Sequence, residues 1–190
     1  MTVVGIDTNS FGFHAVADRP IFMPGEEAGD DQSTVGWAIV GGDAMDRRHV
    51  MFSIAKEFFS QLPEGSNVFV EEPLILPKNI ETTRKLVMMG GVLEAAFWQA
   101  NPDAAWFWVD VSTWRRLVLG RGSGRKEFMK DLARAKTLDD LRERWLKMEE
   151  RHFTRDDGLL ATYDLQPDLY DAHCIMLYGR QALAAAPGRS

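Results

Sequence analysis

The sequence predicts an α/β fold with a mixed sheet, and three observations carry that prediction. Three strand-type segments, TVVGID (2–7), FGFHAVA (11–17) and VGWAIVGG (35–42), follow one another with no helix between them. Strands joined without a crossover pair antiparallel. After residue 43 the apolar period switches to that of a helix, and strands NVFVEE (67–72) and AAWFWVDV (104–111) then alternate with helical stretches. Alternation of this kind adds parallel strands with helices on the faces. The expectation is five strands in one mixed sheet, the first three antiparallel, flanked by helices.

Each element has its own signal. Thr8–Asn9–Ser10 is turn chemistry between the first two strands. Residues 18–34 hold two prolines, two glycines and clustered acids, so they read as a long exposed loop inserted after the second strand. In 43–62, Val50, Ile54, Phe58 and Leu62 recur every four residues, with Asp43 or Asp46 as the N-cap. The stretch 79–100 is a second long helix with two apolar stripes, Leu86, Met89, Leu93 and Phe97 on one, Met88, Val92 and Ala95 on the other. One stripe suits the sheet and the other a second subunit. Further helices are expected at 112–119, 124–135, 137–150 and 168–185, with 156–167 as a linker. The tryptophans at 98, 106, 108 and 114 read mostly as core.

The chain of 190 residues suits one domain, spanning 1–190, with insertions near 18–34 and 137–166. No apolar run reaches the roughly 18 residues of a membrane span. The start MTVVGIDTNS lacks the features of a secretory signal. Cys174 is the only cysteine, so no internal disulfide forms, which fits a reducing cytoplasm. The net charge is −6, but it is uneven: residues 1–77 carry −8, residues 78–135 carry +4 and residues 136–190 carry −2. A basic middle within an acidic protein is the footprint of a binding stripe for polyanions.

Asp7 closes the first strand and Glu71 the fourth. Sites in α/β sheets gather beyond the carboxyl ends of strands. Strand alternation puts Glu71 and Glu72 on opposite faces, with Glu71 turned to the site and Glu72 to solvent. Asp168 and Asp171 stand three apart in the first turn of the last helix. Acids there also complement the helix dipole, so capping alone explains them equally well. Four acids from three segments repel one another unless a cation joins them. Mg²⁺ or Mn²⁺ takes oxygen ligands, and two such ions are the usual arrangement for phosphodiester displacement. RRLVLGRGSGRK (115–126) places Arg115, Arg116, Arg121, Arg125 and Lys126 in twelve residues without an acid, with Gly120, Gly122 and Gly124 between them. It reads as a clamp on a nucleic-acid backbone. Lys78 and Arg84 extend the basic stripe.

On these stretches the sequence resembles the RuvC-type Holliday junction resolvases, which have an RNase H-like fold. VVGIDTNSFGFHAV is similar to the family's opening strand, and VFVEEP to its second acidic strand. NIETTRKLVMMGGVLEAAF resembles the helix that follows, with Asn79, Gly91 and Val92 at matching places. In WRRLVLGRGSGRK, Arg115 and Lys126 stand where the family has two lysines, and DLYDA carries its paired aspartates. The resemblance implies a metal-dependent endonuclease in which Asp7, Glu71, Asp168 and Asp171 hold two Mg²⁺ ions, replaceable by Mn²⁺, and Lys126 is a further catalytic residue. It implies a homodimer through helix 79–100 and four-way or other branched DNA as substrate, in recombination, repair or phage DNA processing. The location implied is a bacterial nucleoid or infected-host cytoplasm, and the divergence suits a phage-encoded version. The departures are the arginine at 115, the long loop, the insertion after Lys126, and PLILP after Glu72, where Leu74 or Ile75 replaces an aromatic wedge. His173 reads as a packing residue. Two other readings compete: a nuclease of the same fold acting on flaps or RNA–DNA hybrids, and a non-catalytic protein that binds DNA structures.

Overall fold

The computed structural model describes residues 1–9, 12–19, 34–40, 44–75, 79–145, 152–154, 160–162 and 167–186. Its order is β1 (Val3–Thr8), β2 (Gly12–Ala17), β3 (Thr34–Val40), α1 (Ala44–Ser60), β4 (Asn67–Glu71), α2 (Ile80–Ala100), β5 (Ala105–Val109), α3 (Val111–Leu119), α4 (Lys126–Trp145), β6 (His152–Thr154), β7 (Leu160–Thr162) and α5 (Pro167–Ala185). One sheet runs β5-β4-β1-β2-β3-β7-β6. β1, β2 and β3 pair antiparallel, and β4 and β5 add parallel on the other side of β1.

Among the described residues the sheet therefore has seven strands, which corrects the expected five. The two additional strands form an antiparallel hairpin whose β7 extends β3. HFT and LAT are three residues each, too short for an alternation to register in sequence. Two helices expected at 124–135 and 137–150 are one continuous α4 to Trp145. Nothing in ARAKTL breaks a helix, and Thr137 is buried, with Oγ1 3.0 Å from His173 Nδ1 on α5. Asp46 lies inside α1 rather than capping it. Asp43 and loop residues 20–33 lie outside the described residues, as does most of 146–166.

Alternation along the strands sorts the side chains into two layers. Val4, Ile6, Val68 and Val70 face α1 and α2, where they meet Val50, Ile54, Phe58, Leu93 and Phe97. Val3, Val16 and Phe69 face the other way, toward Trp114 of α3 and Leu169, Ala172, Ile175 and Met176 of α5. Asp7 shares the parity of Val3, and Glu71 that of Phe69. Both carboxylates are thereby directed to the α5 side.

α5 lies against the sheet with almost no side-chain padding at one point. A Cβ on Gly5 would collide with the carbonyl oxygen of Ala172 and the backbone of Met176. Gly179 meets the Phe69 ring in the same way. This backbone-to-backbone approach sets the height of the first turn of α5 above β1.

α2 is half-buried. Met89, Gly90, Leu93, Ala96 and Phe97 are covered, whereas Ile80, Val87 and Trp98 are exposed. Trp98 and Trp108, expected in the core, are 48% and 37% exposed, while Trp114 is fully buried. Among the described residues no helix is long and apolar enough to cross a membrane.

Candidate active site

β1 and β4 are parallel neighbours, with Gly5 opposite Phe69 and Ile6 opposite Val70. One step further along each strand come Asp7 and Glu71, side by side at the carboxyl ends. The N-terminal end of α5 supplies Asp168, in its first turn, and Asp171, in its second, above them. Three chain segments thus place the four expected carboxylates on one side of the sheet, near enough for Glu71, Asp171 and Asp168 each to raise the pKa of Asp7. Asp7 and Asp171 are buried, at 8% and 7% exposure. Glu72 is exposed, as alternation requires, and its backbone N–H donates to the Val109 carbonyl at 2.9 Å.

Burial, with a smaller contribution from the neighbouring acids, opposes the charge on three of these carboxylates. Burial pushes the Asp7 carboxyl well above its ordinary pKa, and Glu71, Asp171 and Asp168 push it further, against a smaller lowering by Lys130. Burial raises Glu71 to about 7, although a hydrogen bond from Trp114 works in the other direction. Burial raises Asp171 to about 6, opposed by Arg115, Lys130 and, more weakly, Lys126. Desolvation is the dominant cause in each case.

Each carboxylate except Asp7 has a donor on its rim. Trp114 Nε1 donates to Glu71 Oε2 at 2.8 Å. Arg115, the next residue of α3, places Nη2 3.7 Å from Asp171 Oδ2. Its guanidinium stands 5.0 Å from the centre of the Trp114 ring. Asn9 Nδ2 donates to Asp168 Oδ2 at 3.1 Å, and Lys130 Nζ lies 3.6 Å from Asp168 Oδ1. Asn9 is held in place by its own turn, because its Oδ1 accepts the Gly12 N–H at 2.7 Å.

The sequence reading missed Asn9, Trp114 and Lys130. A signal existed for Lys130, which stands one helical turn after Lys126 and so on the same face of α4. Lys126 itself is the exposed first residue of α4, and the ammonium that reaches a carboxylate is that of Lys130. Asn9 looked like a turn residue, which it also is. Trp114 was indistinguishable by type from the other core tryptophans.

Among the described residues, the other expected basic residues lie on α2, on α3 and in the segment that leads into α4. Arg116 is exposed and packs beside Gly122. Arg121 lies 5.2 Å from the centre of the exposed Phe128 ring. Arg125 is exposed at the entry to α4, where its carbonyl accepts the Met129 N–H. Arg84 is exposed on α2, in the layer across the sheet from α5. Lys78 lies outside the described residues. Gly120 has a local reason: it ends α3 at φ 74°, where its N–H donates to the Arg115 carbonyl.

The donor chemistry suits a hard divalent ion: four carboxylates, with no thiolate or imidazole required. As the side chains stand, no group of three or more His, Cys, Asp or Glu among the described residues is drawn together to hold an ion. The fit is therefore one of donor type and charge, with rim cations occupying part of the carboxylate capacity. A direct expectation follows. Glu71 moves from 4.5 to about 7 and Asp171 from 3.8 to about 6 on folding. A raised folded pKa means that the folded state keeps protons the unfolded chain releases. The stability linked to them is full below pH about 4 and is lost as pH rises through 6–7. In chelator, Tm should fall between pH 5 and pH 8 by roughly 2–8 °C, and millimolar Mn²⁺ should reverse the fall. A Tm that rises over that range, or ignores Mn²⁺, would contradict the arrangement.

No family model matches the chain, and no curated protein matches it. Solved structures do. A structure of Thermus thermophilus RuvC superposes with a TM-score of 0.59 at 19% identity, covering 96% of this chain and 97% of that one. T. thermophilus RuvC in complex with a Holliday junction substrate gives 0.60 at 19% identity, with 96% of each chain covered. The chain has the RuvC fold. The superposition covers nearly the whole of both chains. The RuvC fold is thus established from geometry at an identity too low for sequence alone to carry it.

Proposed function

We propose that this protein is a metal-dependent endonuclease that resolves Holliday junctions or related branched DNA. The observation that carries the reading is the meeting of Asp7, Glu71, Asp168 and Asp171 on one face of a RuvC-fold sheet, beneath a rim of basic side chains. These four would hold Mg²⁺ or Mn²⁺, two ions per subunit, and the ions would supply water activation and charge neutralisation at phosphorus.

The chain's own groups do the rest. Trp114 pins one oxygen of Glu71 and so fixes the orientation of its carboxylate. Asn9 likewise orients Asp168. Arg115, Lys126 and Arg125 hold the phosphate backbone in reach, and Arg116 and Arg121 extend that contact outward. In the hydrolysis, a water oxygen bonds to phosphorus, the opposite P–O bond breaks, and the leaving oxygen takes up a proton. Leu74 and Ile75, both exposed just beyond Glu71, are placed to press between unpaired bases.

Symmetric cutting needs two sites. The apolar residues left open on α2, among them Val87 and Trp98, support a homodimer through that helix. Gly91 on the same helix faces open space, so a second backbone has room to approach.

The test is cleavage of an immobile four-way junction in Mg²⁺, beside linear duplex, a flap and an RNA–DNA hybrid of the same sequence, with sedimentation in parallel. Paired symmetric nicks in the junction by a dimer are expected. Preferential cutting of the flap or hybrid would remove the junction assignment, and tight junction binding without cutting would remove the nuclease.

A further inference from the structure

We propose that Lys130 is a resident counter-cation of the carboxylate cluster, which divalent ions displace when they bind. The inference rests on the metal-site reading above and goes beyond it, because it makes metal affinity depend on a lysine that is not itself a ligand.

The geometry is specific. Lys130 Nζ lies 3.6 Å from Asp168 Oδ1, with the two side chains 30% and 28% exposed. The other oxygen of Asp168 accepts the Asn9 amide at 3.1 Å. Both oxygens are therefore engaged in the absence of metal. The charge of Lys130 also reaches Asp7 and Asp171 and lowers the pKa of each. One ammonium thus offsets three of the four acids. Arg115 lowers the pKa of Asp171 and Glu71 and is braced by the Trp114 ring.

The two cations differ in how readily they can leave. Lys130 sits on a flexible four-carbon stem with a part-exposed head, and its separation from Asp168 exceeds hydrogen-bond length. A pair of this kind is weak, so a doubly charged ion bound by several carboxylates outcompetes it. The displaced ammonium stays on the α4 face it shares with Lys126, where it becomes available to a DNA phosphate. The lysine thereby lowers the repulsion among the acids before metal arrives and is released when metal takes over.

The experiment titrates Mn²⁺ into the DNA-free, full-length protein by calorimetry and records Tm in chelator. Lys130→Met keeps the stem and removes the charge. It should bind Mn²⁺ about two- to fivefold more tightly, the effect of one part-exposed charge pair, and should show a lower Tm in chelator. Lys130→Arg should keep wild-type affinity. Lys85→Met removes an equally charged lysine paired with Glu81 at 2.8 Å on α2 and should leave Mn²⁺ affinity unchanged. Unchanged or weaker binding by Lys130→Met overturns the proposal, as does a matching gain in Lys85→Met, which would make the effect one of net charge. If neither wild type nor Lys130→Met binds Mn²⁺, the proposal also fails. If wild type binds Mn²⁺ but cuts no branched DNA, the nuclease reading falls while the affinity comparison still decides the role of Lys130.

Discussion

Asp7→Asn should abolish junction cleavage and, in the same protein, raise the Tm measured in chelator at pH 8. The two effects have one origin. Asp7 is buried between Glu71 on the next strand and the two aspartates of α5, and both its burial and its neighbours oppose its charge. An amide of the same shape removes the charge and keeps the packing. The gain in the metal-free protein should be about 1–2 kcal/mol, or roughly 2–8 °C for a chain of this size. The loss in cleavage should be at least about 10²–10³-fold, the cost of removing one preorganised electrostatic element from a reaction centre. Junction binding, which depends on the basic rim, should persist. Nicking assays and thermal melts on one preparation suffice. A variant that cuts at the wild-type rate would place the chemistry elsewhere, and one that melts below wild type in chelator would mean that Asp7 is not the strained member of the cluster.

The second large effect is expected from a single methyl group. Gly5→Ala puts a Cβ into the backbone of α5 at Ala172 and Met176, where no flexible side chain can yield. Overpacking typically costs about 1–3 kcal/mol, and a backbone obstacle places this case at the upper end or above it. A fall in Tm of at least roughly 6 °C is expected. Where the variant still folds, α5 must ride higher, which lifts Asp168 and Asp171 away from Asp7 and Glu71. Displacements of about 1 Å in such sites cost on the order of 10²-fold in rate. Cleavage should thus fall even at temperatures where circular dichroism shows a folded chain. A Gly5→Ala protein with wild-type Tm and activity would show that α5 does not rest on β1 as described.

Much of this was legible in the sequence, for identifiable reasons. Period-2 alternation fixes which face Asp7 and Glu71 occupy once their strands are recognised, and a carboxylate ending an apolar run is visible without a structure. Asp168 and Asp171 were legible as a pair because helix spacing puts them on one face. What escaped depended on tertiary proximity. Trp114 reads in sequence like any other tryptophan until its N–H is seen to meet Glu71. Asn9 and Lys130 acquire their roles only when α5 closes over the turn and α4 swings alongside. The β6–β7 hairpin escaped for a different reason: three-residue strands carry too little pattern and exist because β3 offers an edge to pair with.

The contact between Asn9 and Asp168 joins residues 159 positions apart. The two halves of the carboxylate cluster therefore leave the ribosome far apart in time, on the order of 8–30 s at about 5–20 residues per second. Until α5 emerges, the nascent chain carries only Asp7 and Glu71 and lacks the helix that faces them. A message broken before the codons for α5 would yield a product with half a cluster. The order of synthesis thus keeps the two parts of the cluster separate until the chain is nearly complete.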